Sequence, residues 1–389
     1  MKVVELTAFH IRIPLRRTIR HASHARTDTD NLLVHCVLED KTEGFGEGVP
    51  REYVTGETID TAIDLLRRSD LNSQFSSPSG FADAVAMIEK MRLACVPGDE
   101  RQCQGNAARC AVEIALLDAV GRRYGQSLAG LPQMLAPELH QPRPWVRYSG
   151  AITSARGWKL RAVATAMRLY KFHQLKLKVG IEGYDDVQRL RIVRRLVGRK
   201  VDLRIDANEA WQPGEVRARI EELKPFGITS VEQPVPHADI GVLALVRKET
   251  GVPIMFDESL CSPVDAEVAV RLGLCDLFNL RLSKCGGFIP TLRLAQYASR
   301  HGLGYQLGCQ VGETAILSAA GRHFASSVAN IRYVEGSYDR HLVRESLGTE
   351  DLTFGWGGWA PALRGPGLGI AIDADALSRV TVRKEPLIG

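Results

Sequence analysis

QLKLKV (174–179), VDLRID (201–206), ITSVE (228–232), PIMFD (253–257) and DLFNLRL (276–282) are short apolar runs that recur at nearly constant spacing through the middle of the chain. WVRYSGAI (145–152) precedes them, and LGYQLG (303–308) and NIRYVE (330–335) follow. The segments between carry one-sided helical stripes, for instance Leu190, Val193 and Val197, then Val216, Ile220 and Leu223. Strand and helix alternating in this way specify a parallel sheet with helices packed outside it. Eight such units fit an α/β fold of the closed (β/α)8, TIM-like barrel type. An open doubly wound sheet is the runner-up. It is disfavoured because no G-x-G-x-x-G follows any of the runs and no P-loop is present.

The grammar differs on either side of this series. Residues 2–15 and 31–39 alternate apolar and polar, with Ile11, Ile13 and Leu15 on one face, which predicts strands. The glycines of EGFGEG (43–48) are expected to break the next strand. Helical patterns follow near 57–68, 81–94 and 107–124. Strands followed by helices read as an α+β unit. The chain therefore divides into an N-terminal α+β capping domain (1–135), a barrel domain (136–340) and a C-terminal segment (341–389). That last segment is Gly/Pro/Trp-rich, too short for its own core, and is expected to fold back on the N-terminal domain.

Composition narrows the function. Of 389 residues, 45% are hydrophobic and 24% charged, which supports a sizeable core and excludes wholesale disorder. A net charge of +5 from 50 basic and 45 acidic residues, with the bases dispersed in pairs, gives no basic stripe for nucleic acid. No run of apolar residues is long enough to span a membrane, and the N-terminus lacks the apolar centre of a signal peptide. Eight scattered cysteines without a C-x-x-C pair read as reduced, mostly buried thiols of a cytoplasmic protein.

The chemistry gathers at one end of the strands. Lys178, Asp206, Glu232 and Asp257 end the second to fifth runs, Lys284 follows the sixth and Glu335 ends the eighth. From Lys178 to Lys284, each charge lies between 25 and 28 residues beyond the last, one strand–helix unit apart. The C-terminal ends of barrel strands form the active-site face. Asp206, Glu232 and Asp257, on adjacent strands, would repel one another unless a cation sat among them. Oxygen donors without His or Cys suit Mg²⁺, with Mn²⁺ as a substitute, and argue against zinc. Lys176 and Lys178 share one face of their strand, so each ammonium is expected to depress the other's pKa and leave Lys178 able to abstract a proton. Lys284 would face the same cavity from the opposite side. A carboxylate substrate held between two such lysines would lose or gain a proton at its α-carbon. Asn208, two residues beyond Asp206, either orients a ligand or simply makes a turn.

The K-x-K of LKLKVG, the D-x-N of RIDANEAW, VEQP, FDES and the lysine of RLSKCGG resemble the enolase superfamily, specifically its muconate-lactonizing (cycloisomerase) subgroup within the mandelate racemase/muconate lactonizing enzyme family. The resemblance extends to AVEIALLDAVGRRYGQSL (111–128) and to GPGLGIAID (365–373). It implies that Asp206, Glu232 and Asp257 bind Mg²⁺ and that Lys178 and Lys284 are acid/base residues on opposite substrate faces. Lys176 would tune Lys178 and touch the substrate carboxylate. LGCQVGET (307–314) has no histidine, which disfavours the mandelate racemase subgroup. Dipeptide epimerases of the subgroup carry Asp-x-Asp on the eighth strand to hold a substrate ammonium. Glu335-Gly336-Ser337 stands there instead and looks more like the cycloisomerases.

The leading expectation is thus a muconate-cycloisomerase-like isomerase working through a metal-stabilised enediolate. Racemisation or epimerisation of an N-acyl amino acid, dipeptide or other amino-acid derivative is the alternative, followed by β-elimination of the dehydratase or succinylbenzoate-synthase kind. An inactive barrel that only binds ligand would require a missing site charge, and none is missing. Glu313 is a candidate for a cationic substrate group. Residues 16–30 and 50–57 are expected as loops over the mouth, supplying Tyr53 for substrate packing and arginines for a distal anion. A small-molecule carboxylate substrate and homo-oligomerisation complete the expectations.

Overall fold

The computed structural model describes residues 2–20, 25–75 and 78–389. In chain order its strands are β1 (Val3–Arg20), β2 (Ala25–Leu38), β3 (Glu43–Gly48), β4 (Trp145–Arg147), β5 (Gly150–Ile152), β6 (Gln174–Lys178), β7 (Asp202–Asp206), β8 (Ile228–Glu232), β9 (Ile254–Phe256), β10 (Leu277–Leu280), β11 (Gly304–Leu307), β12 (Ile331–Val334), β13 (Trp359–Pro361) and β14 (Thr381–Ile388). They form two main sheets. The first is antiparallel, in the order β14-β1-β2-β3, and the second is the parallel series β5 to β12 in sequence order. No helix among the described residues is long and apolar enough to cross a membrane.

The alternation in β1 does what it predicts: Ile11, Ile13 and Leu15 are buried while Arg12, Pro14 and Arg16 face out. Two expectations about this region are overturned. The glycines of EGFGEG do not break β3, which runs unbroken through them. A Cβ on Gly46 would lie 2.0 Å from Ala111 O, and one on Gly48 2.0 Å from Ala107 O. The glycines therefore let the helix Asn106–Tyr124 lie backbone against backbone on the strand, with Ala107, Ala111, Ala115 and Ala119 repeating at i, i+4 along the contact. Gly46→Ala should cost upward of about 3 kcal/mol, because neither backbone can move aside. Thermal unfolding checks this, and an unchanged midpoint would refute it.

The other correction concerns residues 16–30. They are mostly not a loop: β1 and β2 remain paired at Ile19↔Arg26 and Arg20↔Ala25, forming a long two-stranded arm. His21 and His24 lie outside the described residues.

The barrel strands alternate with seven helices, Gly157–Leu169, Asp186–Val197, Val216–Leu223, Leu243–Thr250, Pro263–Leu272, Phe288–Arg300 and Ala315–Ser327. The predicted stripes Leu190/Val193/Val197 and Val216/Ile220/Leu223 are buried against the sheet. Between β12 and β13 the one α-helix is the four-residue Asp339–Leu342, so the eighth unit has no full covering helix. The two edges of the sheet meet without a regular ladder. Ser149 N–H donates to Val334 O at 2.8 Å, and Gln174 Nε2 donates to Arg332 O at 2.9 Å. Of the run 145–152 only Gly150–Ile152 enters the barrel, while β4 pairs antiparallel with β13. Downstream, β14 pairs with β1 and places the end of the chain on the N-terminal sheet. All eight cysteines are free thiols, six of them buried.

Candidate active site

The pairing register lines up the strand-end charges. Lys178 is directly opposite Asp206, Asp206 is opposite Glu232, and Glu232 is opposite Met255, two residues before Asp257. Behind this row, nearer the middle of the barrel, Lys176 is opposite Arg204. Two inward cations side by side need a counter-charge, and Glu335 supplies it. Its carboxylate lies 2.9 Å from Lys176 Nζ and accepts a close hydrogen bond from Arg204, whose guanidinium stacks on Tyr333. Burial opposes ionisation of Glu335, but Lys176 and Arg204 outweigh it and hold the carboxyl down at about 2.

Lys176 also lies 3.4 Å from both Asp206 and Glu232. Burial works against its charge, yet Glu232, Glu335 and Asp206 more than compensate and hold the ammonium above the ordinary lysine range. This corrects the expected role. Lys176 is engaged by three carboxylates beneath the mouth, so mutual repulsion with Lys178 does not dominate its surroundings. Lys178 is half-buried, and its ammonium makes no hydrogen bond or ion pair among the described residues.

Lys284 is the opposite case. It is fully buried and donates to Asp257 O at 2.6 Å, Asn279 O at 2.8 Å and Asp257 Oδ1 at 3.0 Å. Burial disfavours its charge, but Asp257 overrides this and raises its pKa. Three strands separate β6 from β10, so Lys178 and Lys284 stand across the barrel mouth from each other with the carboxylates of β7 to β9 between them.

Asp206, Glu232 and Asp257 are a hard-oxygen donor set on neighbouring strand ends. Burial and the negative charge of Asp206 push Glu232 up to about 8, and Asp206 Oδ2 is buried without a hydrogen bond. Both observations fit a site that takes a cation. As the side chains stand, however, no group of three His, Cys, Asp or Glu among the described residues could hold a metal ion. The carboxylates are turned on protein donors: Asp257 on Arg281 and Lys284, Glu232 on Asn279 (2.8 Å) and Lys176. The donor types and placement therefore suit Mg²⁺, and binding it requires these side chains to turn from the cations towards one another.

The remaining sequence candidates scatter. β7 ends at Asp206, and Asn208 sits in a turn with φ +44°, its N–H donating to Asp206 Oδ1 at 3.0 Å. Asn208 therefore does not continue the strand face; it braces Asp206. Glu313 lines a small pocket with Tyr148, Leu307, Cys309, Glu335 and Ser337, and one of its oxygens accepts from Gln310 N–H at 2.6 Å. Tyr53 lies elsewhere, in a groove beside Cys103 and under the Arg26 guanidinium, 5.3 Å from ring centre to cation. Arg16 is engaged with Val343 O at 3.0 Å.

Sequence reading missed Arg204, Arg281, Asn279 and Gln233. Gln233, fully buried at φ +35°, accepts from Asp257 N–H (2.9 Å) and Ser259 N–H (3.1 Å) through its side-chain oxygen, fixing the fifth strand's end against the fourth. The VEQP motif held this signal, since a polar residue directly after a strand-end carboxylate has few other uses.

Buried carboxylates of the N-terminal domain hold the barrel loops. Glu47 on β3 accepts from Thr314 N–H and Leu317 N–H at the start of the helix Ala315–Ser327. Glu113 accepts from Phe288 N–H and Ile289 N–H at the start of Phe288–Arg300, just after the turn that carries Lys284. That turn needs Gly287, at φ +124°, because a Cβ there would meet Glu113 Oε2 at 2.0 Å. Burial, only partly offset by Arg109 and these helix N–H groups, raises Glu113 to about 7, and burial likewise raises Glu47 to about 7. A folded-state pKa above the unfolded value contributes stability that is present at low pH and lost as pH rises through the folded pKa. The melting temperature should therefore fall from about pH 4.5 to about pH 7 and level off above that. Glu113→Gln should flatten that slope; a slope unchanged in the variant would exclude Glu113 as a source.

A parallel barrel with a charged row at its C-terminal mouth and an α+β cap defines an enolase-type protein. The model of the family described as "Enolase C-terminal domain-like" matches residues 159–376. The chain belongs to this family and is an isomerase of the enolase superfamily. It is 28% identical over 386 residues to N-succinyl-L-Arg/Lys racemase of Bacillus cereus, covering 98% of each chain. The crystal structure of that racemase superposes with a TM-score of 0.85 at 26% identity, covering 99% of this chain and 100% of the other. L-Ala-D/L-Glu epimerase of Clostridium acetobutylicum is 30% identical over 334 residues, covering 84% of this chain and 87% of the relative. A dipeptide epimerase of Enterococcus faecalis, crystallised with Mg and L-Leu-L-Tyr, superposes with a TM-score of 0.80 at 26% identity, covering 95% of this chain and all of the other. These relatives are racemases and epimerases, so muconate cycloisomerisation gives way to the amino-acid alternative.

Proposed function

We propose that the protein racemises an N-acyl amino acid, one of Lys178 and Lys284 removing the α-proton and the other delivering a proton to the opposite face. The observation that carries the substrate class is the engagement of Glu335. An α-ammonium, as in a dipeptide, needs a free carboxylate at the eighth strand. Here Glu335 is already paired with Lys176 and Arg204, and Ser337 donates to the Tyr148 hydroxyl at 2.8 Å. An acylated nitrogen carries no charge and makes no such demand. Racemisation is further supported by the placement of two lysines on opposite sides of the mouth and by the kinship with racemases and epimerases.

Asp206, Glu232 and Asp257 would hold Mg²⁺, in keeping with the Mg present in the E. faecalis epimerase. When bound, the ion supplies positive charge against the negative charge that develops on the substrate carboxylate. The chain's own residues do the rest. Lys178, without an ion-pair partner, takes the α-proton while the C–H electron pair moves towards the carboxylate. Lys284, kept protonated beside Asp257, delivers a proton to the other face of the same carbon. The roles exchange for the opposite enantiomer. Glu313, in the pocket beside Glu335, would receive a cationic side chain.

The test is incubation in D₂O with Mg²⁺ and a panel of N-succinyl and N-acetyl amino acids and dipeptides, following α-proton loss by NMR and inversion by chiral chromatography. Exchange with inversion of N-acyl substrates is expected. Turnover of dipeptides in their place would reassign the protein as an epimerase and refute the reading of Glu335.

A further inference from the structure

We propose that Cys103 and Cys261 are a redox-responsive thiol pair, a site of disulfide formation that crosslinks the N-terminal domain to the barrel. Cys103 lies just before the helix Asn106–Tyr124, and Cys261 follows Asp257 by four residues in the barrel. Both are buried, and with Val54 and the adjoining Tyr53 they form a small cluster separate from the main core. The two thiols are close enough to shift each other's ionisation in opposite senses, Cys261 downwards and Cys103 upwards. They also approach consecutive carbonyls, Cys261 Sγ at 3.7 Å from Val54 O and Cys103 Sγ at 4.0 Å from Thr55 O.

The surroundings favour oxidation. The neighbouring Cys103 thiol lowers the Cys261 pKa against the effect of burial, helped by Lys284 and Arg101, so Cys261 is the readier thiolate of the pair. Access comes from the other side: Cys103 lines an open groove of about 390 Å³ with Glu52, Tyr53 and Arg101, wide enough for a small peroxide. The balance is simple. The two thiols lose two electrons and two protons to form the S–S bond, and hydrogen peroxide gains both and leaves as two waters.

The link would act directly behind the active site. Arg101 donates to Glu258 O (2.9 Å) and pairs with Asp265, while Asn106 Nδ2 donates to both Cys261 O and Lys284 O at 2.7 Å. Residues 101–106 thus already brace the loop after Asp257 and the turn bearing Lys284. A covalent bond at Cys103 makes that brace permanent until a reductant cleaves it.

The full-length protein treated with hydrogen peroxide, then alkylated and digested without reductant, should yield one linked peptide pair joining Cys103 to Cys261. Its melting temperature should rise and return to the starting value with dithiothreitol. Cys103→Ala and, independently, Cys261→Ser should lose both the linked pair and the shift. If peroxide modifies only the exposed Cys95 while Cys103 and Cys261 remain alkylatable after unfolding, or if the variants show the same reversible shift, the proposal is overturned.

Discussion

With Lys178 replaced by alanine, racemisation should fall by about 10²- to 10⁴-fold, the range a positioned acid/base group contributes. Half of the exchange chemistry should survive. Lys284 can still remove the α-proton of the enantiomer that presents it and return deuterium to the same face, so that enantiomer exchanges without inverting. Lys284→Ala should preserve exchange of the other enantiomer only. Because Lys284 is buried and holds two carbonyls, Lys284→Met serves as a volume-matched control, with circular dichroism to check the fold. Loss of exchange for the same enantiomer in both variants would show that a single base serves both faces. Wild-type racemisation in either variant would remove that lysine from the mechanism.

Asp257→Asn carries the second large effect, and it has two separable parts. Asp257 balances both Arg281 and Lys284 in a dry environment, so removing its charge leaves buried cations short of a partner. Breaking a buried pair in this way costs roughly 3–5 kcal/mol, which should lower the melting temperature even in EDTA. The same change removes a donor for Mg²⁺. The rise in melting temperature on adding Mg²⁺, expected for the wild type, should need at least about 10- to 100-fold more metal in the variant. EDTA should abolish wild-type exchange and added Mg²⁺ restore it. A variant with unchanged metal dependence would take Asp257 out of the metal site.

The architecture was readable because its signals are local and repeated. Each barrel strand ends in turn chemistry, each helix shows its stripe, and the charges from Lys178 to Lys284 recur once per unit. Features that depend on a distant segment were not readable. Arg204 and Arg281 look like ordinary strand arginines until Glu335 and Asp257 are placed beside them. Lys176 reads as a repulsive neighbour of Lys178 only while the three carboxylates around it remain unseen. The arm at 16–30 carries too many arginines, histidines and aspartates to alternate visibly, and its pairing at Ile19↔Arg26 resumes only after a register shift beyond Pro14↔Asp28. The glycines of EGFGEG mark a helix contact rather than a bend, and that contact comes from a helix some sixty residues further on.

The pairing of β14 with β1 sets a schedule for synthesis. β1 acquires its outer neighbour only when residues 381–388 have been made, after the whole barrel. At ribosomal speeds of about 5–20 residues per second, that edge stays unpaired for on the order of tens of seconds. During this time it presents free N–H and C=O groups to any passing strand. That waiting edge is short, running only from Leu6 to Ile11, and a short edge offers a nascent copy little to dock on before the chain's own strand arrives.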